Sequence, residues 1–272
     1  MQTYKKIGVV VVLYNPGAKE VKTIESYPKN LDYIVLVDNS KEDNSYLFKE
    51  ILGDQIIYKC LNKNTGIAHA LNEGVEFLIP RVDFILTMDQ DSLLESSVID
   101  TYRDFISNNP QEISYALTPK YNTDRHPSKP SNGCKYMLLS MQSGTLFSKD
   151  IFQKIGLFNE KLFMDVTDWE FFLRMRKNNF KLIRCNKAVL NHHPAKTESK
   201  NLFILKLKYG VASPTRYYYQ ARNLLWTGRE YKSALMYTYL LIKYLKIVLL
   251  FDNKKEYLKY FKKGLRDAKD LG

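Results

Sequence analysis

Asp89 and Asp91 flank Gln90 where an oily run, FILTMDQDS (Phe84–Ser92), gives way to polar residues. Two carboxylates at i and i+2 just past a strand reach one ligand from a short turn. Their oxygens suit Mg2+ or Mn2+, ions that bridge phosphates. The alternative is a plain turn in which an aspartate caps the next helix. A second acidic group, FMDVTDWEFFLR (Phe163–Arg174), places Asp165, Asp168 and Glu170 at and just inside a helix start. The helix dipole favours acids there, so capping explains one of them. Three are more than a cap needs, and one of them can take a proton from a hydroxyl nucleophile.

Three further clusters sit where strands end. VDNS (Val37–Ser40) offers Asp38 and Asn39 to a base N–H or a ribose hydroxyl, or else forms an Asx turn. In NTGIAHALN (Asn64–Asn72), Gly66 permits close backbone approach, and Asn64 or Thr65 caps a helix whose N-terminus favours anions. LYNP (Leu13–Pro16) follows the first strand. His192 and His193 follow a short strand, either as a structural pair or with one imidazole completing a metal shell or touching a diphosphate. No GxGxxG or GxxxxGK[ST] occurs, which argues against a dinucleotide oxidoreductase and a P-loop NTPase.

The elements that must position these residues read as an α/β chain. Ile7–Tyr14, Tyr33–Ser40 and Asp83–Ser92 are continuous apolar, β-branched runs, as expected of strands buried on both faces. Gln55–Leu61 and Ile113–Pro119 read as further strands, and Tyr136–Phe158 as strand, Gly turn, strand and a helix capped by Ser148 or Asp150. Helices are expected over Ala18–Ser26, Tyr46–Leu52, Thr65–Ile79, stopped by Pro80, and Thr167–Phe180. Strands alternating with helices at this spacing predict a mostly parallel sheet with helices on both faces.

The 272 residues carry a formal net charge of +12, placed unevenly. From Lys196 onward there are 17 Lys/Arg against 6 Asp/Glu, and before it 24 against 23. A nearly neutral body thus carries a basic, Tyr-rich tail, which suits an anionic partner. Three cysteines without metal spacing, odd in number, favour a reducing, cytosolic setting. The opening apolar run stops at Asn15-Pro16 with no cleavage site and reads as a strand.

Taken in order, VVVLYNP, VDNS, NTGIAHALNEG, TMDQDS, QSGTLFSKDIFQKIGLFNEKLF, DVTDWEFFLRMR and NHHPA resemble inverting family 2 glycosyltransferases of the GT-A fold. The likeness covers about the first 230 residues and is strongest to bacterial rhamnosyltransferase-type enzymes of surface-polysaccharide assembly. It implies a GT-A (Rossmann-like) catalytic domain over 1–212, with a nucleotide-sugar half to about 95 and an acceptor half beyond. Tyr14, Asn15, Asp38 and Asn39 would hold the base and ribose of a dTDP- or UDP-linked sugar, and Asn64 and Gly66 would line the donor site. Asp89 would face the ribose or sugar; Asp91, with Asp89, would hold Mg2+ or Mn2+, and His192 or His193 matches the family's late histidine. Asp168 would be the base, with Asp165 and Glu170 as helpers, since Thr167 stands where the family carries a glutamate. The implied reaction is inverting transfer, with dTDP-L-rhamnose as donor and a lipid-linked glycan as acceptor.

Residues 213–272 are expected to form basic helices. Ala234–Phe251 is oily but carries Lys243 and Lys246, so an interfacial helix on the anionic inner face of the cytoplasmic membrane fits better than a spanning one. The alternative is a hairpin packed on the catalytic domain or in a homodimer. Two rivals stand outside this family: a metal-dependent nucleotidyltransferase, for which LYNPGAKEV is a poor triphosphate loop, and a non-catalytic nucleic-acid-binding protein, against which the acidic clusters speak.

Overall fold

The computed structural model describes residues 4–110, 114–192, 197–202 and 205–271. The alternation expected of the first half is present: β1 (Ile7–Leu13), α1 (Ala18–Glu25), β2 (Tyr33–Asp38), β3 (Ile56–Cys60), α2 (Ile67–Leu78) and β4 (Phe84–Asp89). There follow α3 (Ser96–Asn108), β5 (Tyr115–Asn122), β6 (Cys134–Met137), β7 (Thr145–Ser148), α4 (Lys149–Ile155), α5 (Thr167–Lys177) and β8 (Lys181–Asn191). The rest is β9 (Thr197–Leu202), β10 (Leu205–Gly210), α6 (Pro214–Glu230), α7 (Ala234–Leu250) and α8 (Lys254–Asp267). Contacts divide the chain into two compact units: residues 1–158 with 171–193, and residues 159–170 with 194–272.

The first unit holds an eight-stranded sheet in the order β3-β2-β1-β4-β7-β5-β8-β6. β1 to β4 are mutually parallel; β7 opposes both β4 and β5, and β8 is parallel to β5. Six strands therefore share one direction, and only β7 and the edge strand β6 oppose it. β1, IGVVVVL, is buried at all seven positions. Val9, Val11 and Leu13 pack into one apolar layer with α3, including Val98, Ile99 and Tyr102. Val10 and Val12 pack into the opposite layer with α2 and α5, among them Leu71, Val75, Phe171 and Phe172. A close helix–strand approach rests on Gly74 of α2, where an added Cβ would lie 2.4 Å from a Val10 methyl.

Three segments of the first unit differ from expectation. Tyr46–Leu52 is not a helix; only a 3-10 turn at Ser45–Leu47 forms. Asp43 accepts from the Ser45 N–H and Asn44 donates to Asp38, and such local side-chain bonds compete with a short helix. α3 was not anticipated, although Val98, Ile99, Tyr102 and Ile106 form its buried face. β8 runs eleven residues to Asn191, longer than the short strand expected before His192, because the ladder with β5 shifts register between Thr118 and Lys120 and then resumes.

The second unit contains the β9–β10 hairpin and the helices α6, α7 and α8 around Tyr217, Ala221, Ile247, Phe251 and Phe261. Here the lysines of α7 do not mark its outward face. Lys243 lies over the Tyr217 ring, and Lys246 lies over Tyr209 and Phe251 while its ammonium donates to the Gly210 carbonyl. The exposed side of α7 includes Tyr237, Thr238, Leu241, Ile242, Tyr244, Leu245 and Leu249. Among the described residues no helix is long and apolar enough to cross a membrane.

Replacing Gly74 with Ala adds a methyl group that Val10 cannot clear. The change should cost about 1–3 kcal/mol of stability by overpacking, despite alanine's better helix propensity. Denaturant unfolding of the variant reads this directly.

Candidate active site

Parallel strands level the chain's exits. In register, β1 sets Leu13 beside Asp38 of β2 and Val12 beside Asp89 of β4. β8 runs the same way, so Asn191 and His192 emerge at the same carboxyl edge, where α/β sheets bind ligands.

Gln90, between the two aspartates, clamps the neighbouring strand end. Its Oε1 accepts from the Tyr14 N–H at 2.8 Å and its Nε2 donates to the Tyr14 carbonyl at 3.2 Å. The Tyr14 ring is left about half exposed. Asn15 adopts φ 47°, a left-handed value that Asn tolerates, and donates its N–H to the Ser40 hydroxyl at 2.7 Å.

Asp38 is fully buried. Its carboxylate accepts from the Ser40 N–H at 2.9 Å and the Ser40 hydroxyl, from Asn44 Nδ2 at 2.9 Å, and from the Tyr58 hydroxyl. Burial and the bond to Asp38 hold the Tyr58 hydroxyl well above the usual phenol range. Asn39 Oδ1 accepts from both the N–H and the hydroxyl of Thr65, at 2.8 and 2.9 Å, while its Nδ2 donates to Asn64 Oδ1 at 3.2 Å. Asn64 in turn accepts from the Gly66 N–H at 3.1 Å. Neither Asn64 nor Thr65 caps α2, as the sequence suggested; the cap position is Gly66 itself, at φ 88° and ψ 160°. That conformation is essentially glycine's alone.

Asp89, Asp91 and His192 come together: one ligand atom from each lies within 4.8 Å of the others. Three serine and glutamine side chains support them. Gln142 Nε2 donates to Asp89 Oδ1 at 2.6 Å, and the Asp89 N–H donates to the Ser143 hydroxyl at 3.0 Å. Ser92 Oγ stands 3.1 Å from His192 Nδ1 and accepts from the Ser143 hydroxyl at 3.2 Å. The His192 N–H is held by the Asn122 carbonyl at 3.1 Å, and its ring meets Tyr121 edge-on. Beneath, buried Tyr27 donates to the Ser92 carbonyl, its hydroxyl raised by burial first and then by the charges of Asp89 and Asp91. Two carboxylates and an imidazole fit a divalent cation of the Mg2+ or Mn2+ kind. His193 lies outside the described residues. Gln90, Ser92, Gln142 and Ser143 were missed as site residues, although DQDS and QSG were singled out as motifs; nothing in a polar side chain's type announces which acid it will hold.

The three acids near α5 belong to the second unit and differ in their engagements. Phe163, Asp165 and Val166 all take left-handed φ values, of 62°, 56° and 67°. Such residues cost of order 1–3 kcal/mol each and persist only where surroundings hold them. Asn223 of α6, fully buried, does so: its Nδ2 reaches the carbonyls of Leu162, Met164 and Asp165 at 2.8, 2.7 and 2.8 Å. Arg222 adds bonds to the Lys161 and Leu162 carbonyls at 3.0 and 2.9 Å. The Asp165 carboxylate is gripped at both oxygens by Arg216, at 3.0 and 2.8 Å. Glu170 is buried and accepts from the Tyr231 hydroxyl. Asp168 lies half-buried in the first turn of α5, accepting from the next N–H, that of Trp169, at 2.9 Å.

A large, mostly parallel sheet flanked by helices is the architecture of GT-A glycosyltransferases. The crystal structure of GalNAc-T7 with UDP, GalNAc and Mn2+ superposes at a TM-score of 0.62 and 14% identity, over 100% of this chain and 58% of that one. S. aureus TarS 1-349 superposes at 0.53 and 15% identity, over 97% of this chain and 71% of that one. Among curated proteins, the dTDP-rhamnosyl transferase RfbF of Shigella flexneri is 27% identical over 285 aligned residues, covering 93% of this chain and 92% of the relative. The sequence model "Glycosyl transferase family 2" matches residues 9–177, and the chain belongs to that family of glycosyl-transfer enzymes. Neither the nucleotidyltransferase nor the nucleic-acid-binding alternative is a member of it.

Replacing Asn223 with Ala removes a donor from the carbonyls of Leu162, Met164 and Asp165. It should lower stability by about 1–3 kcal/mol and open the 163–166 loop to limited proteolysis. Mass mapping of the first cleavage site checks this.

Proposed function

We propose that this protein is an inverting, metal-dependent rhamnosyltransferase. It moves rhamnose from dTDP-L-rhamnose to a hydroxyl of a growing, lipid-linked bacterial surface glycan. The observation that carries the reading is the convergence of Asp89, Asp91 and His192 at the sheet's carboxyl edge. The donor assignment leans on the relative's name alone.

In this reading Tyr14, Asn15, Asp38 and Asn39 make the nucleoside end. Asp38 acts there through the Ser40, Asn44 and Tyr58 side chains that it orders. Asn64 and Gly66 shape the backbone around the donor, their loop fixed through Asn39. Asp91, with Asp89 and the ring nitrogen of His192 not engaged by Ser92, would hold Mg2+ or Mn2+. When bound, that ion neutralises charge on a departing diphosphate. Asp89, oriented by Gln142 and Ser143, also positions the donor.

Asp168 is the base. Asp165 is committed to Arg216, and Glu170 is buried against Tyr231, so both serve the shape of the loop. The Asp168 carboxylate takes the acceptor hydroxyl's proton as the oxygen attacks the anomeric carbon. The bond from that carbon to the diphosphate breaks, and its electrons leave with dTDP. Attack opposite the leaving group inverts the configuration.

The acceptor's lipid places the enzyme on the cytoplasmic face of the membrane. The face of α7 bearing Leu241, Ile242, Leu245 and Leu249 is apolar, with its lysines turned inward. Tyr244 of α7 meets Phe261 of α8, whose Lys254, Lys255, Lys259, Lys262 and Lys263 are exposed. An oily strip bordered by positive charge matches an anionic bilayer surface.

Asp168→Asn should keep donor-induced thermal stabilisation in Mn2+ while turnover falls by about 10²–10⁴-fold. Near-normal turnover would remove Asp168 from the role of base. Across dTDP-L-rhamnose, UDP-hexoses and UDP-galactofuranose, the first should raise the melting temperature most, and only with metal present. Full-length protein should float with anionic but not neutral liposomes. A Leu241→Ser, Leu245→Ser, Leu249→Ser triple variant should stay at the bottom of the gradient, whereas loss of a dimer instead would point to a second copy as the partner.

A further inference from the structure

The edge strand β6 pairs antiparallel with β8, and this sets Cys134 opposite Cys185. The backbone defines the kind of pair. The Asn186 N–H donates to the Gly133 carbonyl at 3.1 Å, so the neighbouring pair of positions is the hydrogen-bonded one. Hydrogen-bonded and non-hydrogen-bonded pairs alternate along an antiparallel ladder, which makes Cys134–Cys185 a non-hydrogen-bonded pair. At such pairs the Cα atoms stand about 4.5 Å apart and the side chains approach most closely. That spacing lies inside the range a disulfide spans, roughly 4.4–6.8 Å. The two sulfurs are 3.9 Å apart as free thiols.

Their surroundings differ in a useful way. Cys134 is exposed, while Cys185 is 1% exposed, at the margin of the apolar layer on the α3 side of the sheet. Burial, and then the nearby Cys134, push the Cys185 thiol upward, so the exposed sulfur is the one that reacts first with a reagent in solution. Cys60 ends β3, the opposite edge of the same eight-stranded sheet, and does not compete for either partner.

We propose that Cys134 and Cys185 form a reversible redox site, a dithiol that low-molecular-weight disulfides convert to a cross-strand disulfide. The Cys134 thiolate attacks one sulfur of the small disulfide, which forms a mixed disulfide and releases one small thiolate. The Cys185 thiolate then attacks Cys134 Sγ. The bond between the two protein sulfurs forms, the mixed bond breaks, and the second small thiolate leaves. The two protons lost by the cysteines are taken up by the two released thiolates. The protein dithiol gives up two electrons and the small disulfide accepts them. The pair sits where a bond has mechanical meaning: it would tie the sheet's free edge to β8, the strand whose end carries Asn191 and His192.

The test is to hold full-length protein in oxidised and reduced glutathione at a series of ratios, alkylate the remaining thiols, and map the peptides by mass spectrometry. The expected result is a Cys134–Cys185 linked peptide, with the three free thiols reduced to one and restored by dithiothreitol. Cys60→Ser should still form the link. Cys134→Ser, a surface change that leaves the fold alone, should abolish it, and Cys185→Ala should accumulate glutathione on Cys134 that the unaltered protein sheds. Three outcomes would overturn the proposal: glutathione persisting on Cys134 of the unaltered protein at every ratio, a Cys134-linked dimer as the main product, or no thiol lost before Cys60 reacts.

Discussion

β1 offers no polar side chain on either face, and it lies near the centre of the sheet. It must therefore be covered twice, by α3 on one side and by α2 on the other. Asp38, Asp89 and Asp91 thereby fall at or just past the strand ends. The shared direction of six strands puts those ends at one edge. Asp38 and Asp89 are far apart in sequence, yet each closes a largely apolar, largely buried strand, and His192 follows directly on β8. Asp89 and Asp91 meet His192 at that edge.

A second organisation operates in the acid loop. Left-handed backbone at Phe163, Asp165 and Val166 is unfavourable on its own, most of all for a β-branched valine. α6 supplies the compensation through one buried amide, two arginines and a glutamine. The basic tail is thus more than a charged appendage: several of its cations are spent on carbonyls and on Asp165 rather than on solvent. The same holds for Lys243 and Lys246, which lie over aromatic rings. A net charge counted from sequence overstates what such a surface shows to a partner.

Much of the fold was legible because a single physical signal dominated each element. IGVVVVL, YIVLVD and FILTMD are too apolar and too β-branched to be anything but doubly covered strands. α3 escaped notice because its charged residues mask a buried face of four residues. The short helix expected at Tyr46 failed because Asp43 and Asn44 bond locally and to Asp38, a contact no window of sequence reports. In the site, the acids were visible by type, whereas Gln90, Gln142, Ser143 and Asn223 were not. Their importance comes from partners 76, 53, 54 and 58 residues away. The Cys134–Cys185 pair was hidden for the same reason, by a separation of 51 residues.

Asn223 also sets an order of events during synthesis. The ribosome makes Val166 long before Asn223, and at about 5–20 residues per second the interval is a matter of seconds. In that interval the carbonyls of Met164 and Asp165 lack the Asn223 donor that helps to hold the left-handed angles of this turn. The eight strands of the first unit are by contrast all made before α6 is. A nascent or truncated chain can thus own a complete sheet edge and still lack a set acid loop. The acid loop is set only once α6 has been made.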